Sequence, residues 1–287
     1  MSKPAKTAFA EREFEFTDVD FACVRELLES LAGIAVSENK RDMIYARLAG
    51  RLRAIGLRRV SDYCDRLRGG QDVRELEHFR NAMTTNLTGF FREPYHFDFL
   101  REQARGWAQA MRPQGRHLRI WSAGCSTGEE AYSIAIALRE AIPDIDDWDV
   151  RILASDLNSE VLARARRGAY PREAIAGLDP SRVRRWFRRG VGRNDGWVRV
   201  VPELARMIDF EAFSLNGVWP SMVQMDAIFC RNVTIYFDAD TTERLLRRFE
   251  RILRPDGLLF VGHSETLKGL SDGFHLLGQT IYQRGRK

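Results

Sequence analysis

The chain has 287 residues, 44% of them apolar, with 45 Lys+Arg against 40 Asp+Glu for a net charge of +5. Intrinsic disorder is excluded for most of it, and the length suits a medium domain with a small companion, so two domains are expected. No apolar run nears the roughly 20 residues that cross a bilayer, and the charged residues 1–15 lack a signal-peptide core, so a soluble cytoplasmic protein is expected.

Thr17 with Asp20 predicts a capped helix whose stripe is Phe21, Val24, Leu28 and Leu31, ending at Gly33. A second helix runs from near Ser37 to Gly56 on Ile44, Leu48, Leu52 and Ile55. Helical patterns at 63–67 and 73–83 follow, and residues 17–84 read as a small all-helical domain. From about residue 117 the pattern changes. Short β-branched runs at 118–122, 150–155, 227–230 and 258–262 alternate with helical patterns at 129–141, 159–167 and 241–253, the signature of a parallel α/β sheet. Pro255-Asp256-Gly257 reads as the stop and turn after the last helix. Residues 197–201 and 207–213 read as antiparallel strands, so an inserted β-subdomain is expected over about 170–215 of an 85–287 domain.

Cys23, Cys64, Cys125 and Cys230 are scattered, with no CxxC pair and no histidines at zinc spacing, so neither a metal site nor a disulfide framework is expected. Cys125 lies in a glycine-rich loop, but no nearby histidine activates it as a nucleophile.

That loop, Ser122-Ala123-Gly124-Cys125-Ser126-Thr127-Gly128-Glu129-Glu130, joins a strand to a helix, where glycine lets the backbone approach a ligand. The next strand ends at Ser155-Asp156, where an acid accepts ribose hydroxyls in doubly wound sheets. The spacing is neither the dinucleotide fingerprint nor a phosphate loop, and Glu129 and Glu130 would repel a phosphate. They suit a cationic nucleoside such as S-adenosylmethionine, or they complement the helix dipole.

At this point the sequence resembles the bacterial chemotaxis receptor methyltransferase (CheR) family over about residues 17–284. The resemblance is carried by Thr85-Asn86-Leu87-Thr88-Gly89-Phe90-Phe91-Arg92, Trp121 with the glycine loop through Glu130, Ala154-Ser155-Asp156, and Ile228-Phe229-Cys230-Arg231-Asn232-Val233-Thr234-Ile235-Tyr236-Phe237-Asp238. It implies a Rossmann-like class I S-adenosylmethionine-dependent methyltransferase domain behind the helical one. The implied activity is methylation of glutamate side chains on chemoreceptors, with S-adenosylhomocysteine as product. Asn86, Thr88 and Arg92 resemble linker residues reaching over the cofactor, Glu130 the acid holding its methionyl portion, and Asp156 the ribose acid. Gly124, Asn216, Gly217, Arg231 and Asn232 resemble further cofactor contacts. Arg92 and Tyr236 resemble the groups at the transferred methyl. Read from the residues alone, Arg92 is also consistent with a surface arginine, Tyr236 with a core aromatic and Asn232 with a cap.

A glutamate carboxylate is already a nucleophile at neutral pH, so the lack of a His/Asp base is no objection. Alignment for in-line displacement would supply catalysis, up to roughly 7–11 kcal/mol in ideal cases. Between residues 40 and 59, seven basic residues stand against one acid. Lys40, Arg47, Arg51, Arg53, Arg58 and Arg59 are the expected docking face for the acidic methylation helices of membrane chemoreceptors. Residues 164–193 hold ten arginines against two acids, and Arg189-Gly190-Val191-Gly192 resembles the loop of family members that bind a receptor's C-terminal pentapeptide. No partner chain is required, so a monomer is expected. The alternatives are an RNA or small-molecule methyltransferase, although no RNA-binding motif is present, and a cofactor-binding adaptor without turnover.

Overall fold

The computed structural model describes residues 12–111 and 115–285. Most of the charged leader, residues 1–11, lies outside them. The chain divides into two compact units between Thr84 and Thr85, and no described helix is long and apolar enough to cross a membrane.

The first unit holds α1 (Asp18–Ala32), α2 (Arg41–Ile55), α3 (Val60–Arg68) and α4 (Val73–Met83). Thr17 and Asp20 form the predicted capping box, each side chain bonded to the other's backbone N–H at 2.9–3.1 Å. Gly33 and Gly56 take left-handed φ values that end α1 and α2. The stripes close one core of Phe21, Val24, Leu28, Ile44, Leu48, Leu52, Tyr63 and Phe79. One carboxylate enters it. Glu75 is 4% exposed; it receives Arg51 Nε and Nη2 (3.0 and 2.6 Å) and the Tyr63 hydroxyl (2.7 Å). Burial, and then Glu75 itself, raise the Tyr63 phenol.

The second unit runs α5 (Pro94–Met111), β1 (His117–Ala123), α6 (Glu129–Ala141), β2 (Asp149–Asp156), α7 (Ser159–Arg167), β3 (Ala169–Pro171), α8 (Pro180–Trp186), β4 (Phe187–Arg189), β5 (Trp197–Val200), α9 (Pro202–Ala205), β6 (Ile208–Ala212), β7 (Met225–Cys230), α10 (Ala239–Ile252), β8 (Leu253–Val261), β9 (Phe274–Gly278) and β10 (Ile281–Arg284). The main sheet has the order β6-β2-β1-β7-β8-β10-β9. Its first five strands are parallel, and β10 and β9 complete it antiparallel. Helices cover both faces, which is why β7 is buried at every position. Leu118, Ile120, Ala227, Phe229, Leu258 and Phe260 pack on one face with residues of α5 and α6. Trp121, Ala123, Ile228, Cys230, Leu259 and Val261 pack on the other with α10.

Two sequence expectations change. The inserted sheet is β3-β5-β4, antiparallel, but residues 207–213 do not belong to it. Ile208–Ala212 instead forms the parallel edge of the main sheet, with Ile152 opposite Ile208 and Asp156 opposite Ala212. Alternating hydrophobicity marks a half-buried strand without revealing which neighbour it pairs with. Pro255-Asp256-Gly257 falls within β8 as a bulge, with Met225 opposite Leu253, Ala227 opposite Leu258, and Asp256 at φ +63°.

Replacing Glu75 with Ala strands Arg51 and Tyr63 against the helical core. Because Arg51 is partly solvated, the expected cost is about 2–3 kcal/mol, less than the ~3–5 kcal/mol for breaking a fully buried pair. Urea unfolding of the full chain checks it, and an unchanged first transition would refute it.

Candidate active site

Strand order reverses at β1, which has β2 on one side and β7 on the other. Ligands of open α/β sheets bind beyond the carboxyl ends of strands at such a point. Here the loop after β1 folds back on β2, because Gly124 N–H and Cys125 N–H both donate to Ser155 O (2.8 and 2.9 Å). Gly124 takes φ +87°, and a β-carbon on it would stand 2.5 Å from Val233 Cγ2. Only glycine lets this turn and the loop after β7 approach so closely.

Asp156 ends β2 beneath that loop. Its Oδ2 accepts Ser126 N–H (2.8 Å) and its Oδ1 accepts Asn158 N–H (2.9 Å). Burial raises this carboxyl above its ordinary value, and the backbone N–H donors of Asn158, Ser126 and Leu157 oppose the shift. With three of the roughly four lone-pair sites of the carboxylate taken by these donors, one remains for a ligand hydroxyl. Ser126 Oγ donates to Asn86 O (2.9 Å), which fastens the segment holding Asn86, Thr88 and Arg92 to the glycine loop.

Glu130, at the second position of α6, is also buried. Ser122 Oγ donates to its Oε1 (2.7 Å) and Arg231 Nη1 to its Oε2 (3.1 Å). Burial raises the Glu130 carboxyl, against the pull of Arg231 and Ser122. Arg231 follows the end of β7. Its second terminal nitrogen reaches Arg92 O and Glu93 Oε2, the latter at 3.2 Å, while its buried Nε has no hydrogen-bond partner among the described residues. Thus Arg92, Glu130 and Arg231, far apart in sequence, occupy one cluster. Arg92 turns its own Nη1 to Leu87 O (3.0 Å).

Asn232, at φ +58°, opens the loop that leads to Tyr236, a half-buried residue closing a 3-10 turn. Asn216 and Gly217 form an exposed turn beyond β6, with Gly217 N–H on Ser214 O (3.1 Å) and Arg248 Nη2 on Gly217 O (2.9 Å). The turn lies at the same edge of the sheet as the Glu130–Arg231 pair.

Sequence reasoning passed over Glu265, whose carboxylate collects the N–H groups of Gly262, Asn232, Val233 and Thr234 and the Thr234 hydroxyl at 2.5–3.0 Å. It fixes the loop between Arg231 and Tyr236. Its one signal was an acid just beyond a strand's carboxyl end. Glu93 and His96 were also missed, though Glu93 adjoins Arg92. Glu93 receives His263 Nδ1 (3.0 Å) and lies 3.5 Å from His96 Nδ1. Burial raises its carboxyl, but Arg231 and the His263 hydrogen bonds outweigh this and hold it down at about 2.

The basic candidates of the helical unit divide into two kinds. Arg51 is turned inward onto Glu75, and Arg47 Nη1 donates to Met83 O (2.5 Å). Arg53 pairs with Glu13 at 2.5 Å and Arg59 lies 4.0 Å from Asp62. Lys40, Arg53, Arg58 and Arg59 are exposed.

The buried Glu130 and the half-buried Asp156 beside a glycine turn, with no lysine in that turn for a phosphate, fit a cationic nucleoside, and the residues present therefore suit S-adenosylmethionine. Asp156 would hold the ribose hydroxyls, and Glu130 with Arg231 the charged methionyl end.

Burial, and then Arg231, push the wholly buried His96 imidazole down to about 4 from 6.5. The unfolded chain therefore binds this proton below about pH 6.5 and the folded chain only below about pH 4, so stability falls as pH drops through that window. Relative to His96→Asn, the protein should lose about 1 kcal/mol more between pH 7 and 5.5. Equal pH slopes in urea unfolding would contradict this.

Residues 86–283 match the family model described as CheR methyltransferase, SAM binding domain, and residues 19–84 match CheR methyltransferase, all-alpha domain. Chemotaxis protein methyltransferase 2 of Pseudomonas aeruginosa is 46% identical over 96% of this chain and 96% of its own. The chemotaxis protein methyltransferase of Salmonella typhimurium is 46% identical over 93% of this chain and 90% of its own, and that of Escherichia coli 44% identical over 93% and 91%. The chain belongs to the CheR methyltransferase family.

Proposed function

We propose that the protein transfers a methyl group from S-adenosylmethionine to glutamate carboxylates of chemoreceptors, leaving methyl esters and S-adenosylhomocysteine. The observation that carries the reading is the convergence of Arg92, Glu130 and Arg231 at the switch point of the sheet, beside Asp156 and the glycine turn. The names of the relatives weigh against the RNA, small-molecule and adaptor readings.

When bound, the cofactor supplies an electrophilic methyl on a sulfonium. The chain supplies position. Asp156 accepts ribose hydroxyls under the glycine turn, while Glu130 and Arg231 offer a carboxylate and a guanidinium to the two charged groups of the methionyl end. Arg92 and Tyr236 orient the incoming glutamate carboxylate. No base is needed, because that carboxylate is ionised at neutral pH. An arginine bound too tightly to it would lower its nucleophilicity, so orientation contributes more than neutralisation.

In the helical unit, Lys40, Arg53, Arg58 and Arg59 dock the acidic methylation helices on the cytoplasmic side, whereas Arg51 serves the core. The small sheet provides a second contact. Its groove of about 620 Å³ is floored by Ile175, Leu178 and Val198 and rimmed by Arg172, Arg184 and Arg189, a lining suited to a short acidic and apolar receptor tail. All these groups belong to one chain, so a monomer suffices.

Radiolabelled methyl transfer to receptor-containing membranes should give base-labile esters; base-stable label would reject the glutamate assignment. Arg92→Ala should lower kcat by about tenfold or more, roughly 1.4 kcal/mol of barrier, and near-normal initial rates would remove it from the transfer step. Asp156→Ala should raise cofactor Kd in calorimetry, and an unaltered Kd would remove it from the site. Lys40→Glu with Arg58→Glu should raise receptor KM while leaving cofactor Kd intact; an unchanged KM discards the docking face.

A further inference from the structure

Arg92 lies between two residues that both occupy the left-handed region, Phe91 at φ +52° and Glu93 at φ +56°. Neither is glycine, and a bulky residue such as Phe91 rarely adopts that conformation. Two such exceptions on either side of one residue cost of order 1–3 kcal/mol each and persist only where the surroundings impose them. The imposing contacts are visible. Phe91 N–H donates to Ser133 Oγ (3.0 Å), and the Phe91 ring packs against Phe97 and under the guanidinium of Arg182, at 5.1 and 4.1 Å. On the other side Glu93 reaches three elements. One oxygen takes His263 N–H (3.3 Å) and Nδ1 (3.0 Å) beyond β8, and the other meets Arg231 Nη2 (3.2 Å) beyond β7 and the Tyr95 hydroxyl (3.3 Å) on α5. Arg231 in turn donates to the carbonyl of Arg92.

We propose that Glu93 is a positioning residue for methyl transfer: by tying Arg231 and the end of β8 to the chain beside Arg92, it holds the strained backbone that flanks Arg92 and so aims the Arg92 guanidinium at the substrate carboxylate. The inference rests on the assignment of Arg92 to the transfer step. The Glu93 carboxylate is engaged by His263, Arg231 and Tyr95. Its charge matters because Arg231 is 6% exposed and shared with Glu130. Without Glu93, Arg231 would shift toward Glu130 and release the Arg92 carbonyl, leaving the His96 N–H on the Glu93 carbonyl (3.1 Å) to hold the turn from the α5 side.

Three variants assayed for turnover and for cofactor binding by calorimetry test it: Glu93→Gln, Arg92→Ala and their combination. Glu93→Gln should lower kcat, read at saturating cofactor, by about tenfold, a larger change than that in cofactor Kd, and a split that a general loss of folding does not produce. Added to Arg92→Ala, it should change kcat by less than about twofold, because the group it aims is already gone. Losses that multiply in the double variant, or wild-type kcat in Glu93→Gln beside a slow Arg92→Ala, overturn the role of Glu93 alone. Normal turnover in Arg92→Ala would overturn the parent assignment and this one with it. Should Glu93→Gln fail to fold, Glu93→Asp keeps the charge and shortens the reach, and the same non-additivity with Arg92→Ala is expected.

Discussion

A single buried guanidinium joins the parts of this active site. Arg231 stands at the end of β7, and its ion pairs reach Glu130 on α6 and Glu93 in the segment before α5. Leaving an arginine unpaired in such a position would cost several kcal/mol, so the two carboxylates are obligatory partners. The balance among them is uneven. Glu93 is held ionised, whereas burial moves Glu130 the other way, and Asp156 adds a carboxylate with no ion pair among the described residues. A pocket with surplus carboxylate and one shared arginine is matched to a ligand that brings positive charge. It is poorly matched to a phosphate.

The sheet explains why these groups can meet at all. Parallel pairing of β1 with β2 and β7 ends three strands at one edge, with Ala123 opposite Ser155 and Ser122 opposite Phe229. The residues just past those ends therefore share one crevice, whatever their distance in sequence. Close approach then depends on Gly124 and Gly262. A β-carbon on Gly262 would stand 2.5 Å from Asn232 Nδ2, just as one on Gly124 would meet Val233. Glu265 completes the arrangement by gathering the freed N–H groups of the loop after β7, which would otherwise be unpaired near the ligand.

Much of this was legible in the sequence, for a physical reason. Helix and strand periods report local burial, and so α1, α2, α6 and α7 fall where their stripes and caps place them. The glycine turn and Asp156 are local signals too, because each follows a strand. What the sequence hid was pairing. Residues 208–212 read as a strand of the inserted sheet but lie beside β2, and only the partner strand decides between the two. Glu93 and Glu265 were invisible for the same reason. A carboxylate that braces a loop 30 or more residues away has no periodicity, and its role exists only once three chain segments meet.

The same distinction governs the charge. Counting residues finds two basic stretches, and the count treats every arginine in them alike. The fold does not. Arg51 is consumed by Glu75 in the helical core, and Arg182 binds Glu140 through two nitrogens (2.8 and 2.7 Å) while its face covers Phe91. Paired in fixed forks, these two contribute to architecture, and Arg182 helps to brace the turn that carries Arg92. Lys40, Arg58, Arg184 and Arg189 have no ion pair among the described residues, and the field they project is available to an acidic partner. The net charge of +5 is thus the wrong quantity for recognition. What is open to an acidic partner is the subset of cations that folding leaves unneutralised, and that subset is set by the same carboxylates that build the core and the Arg231 cluster.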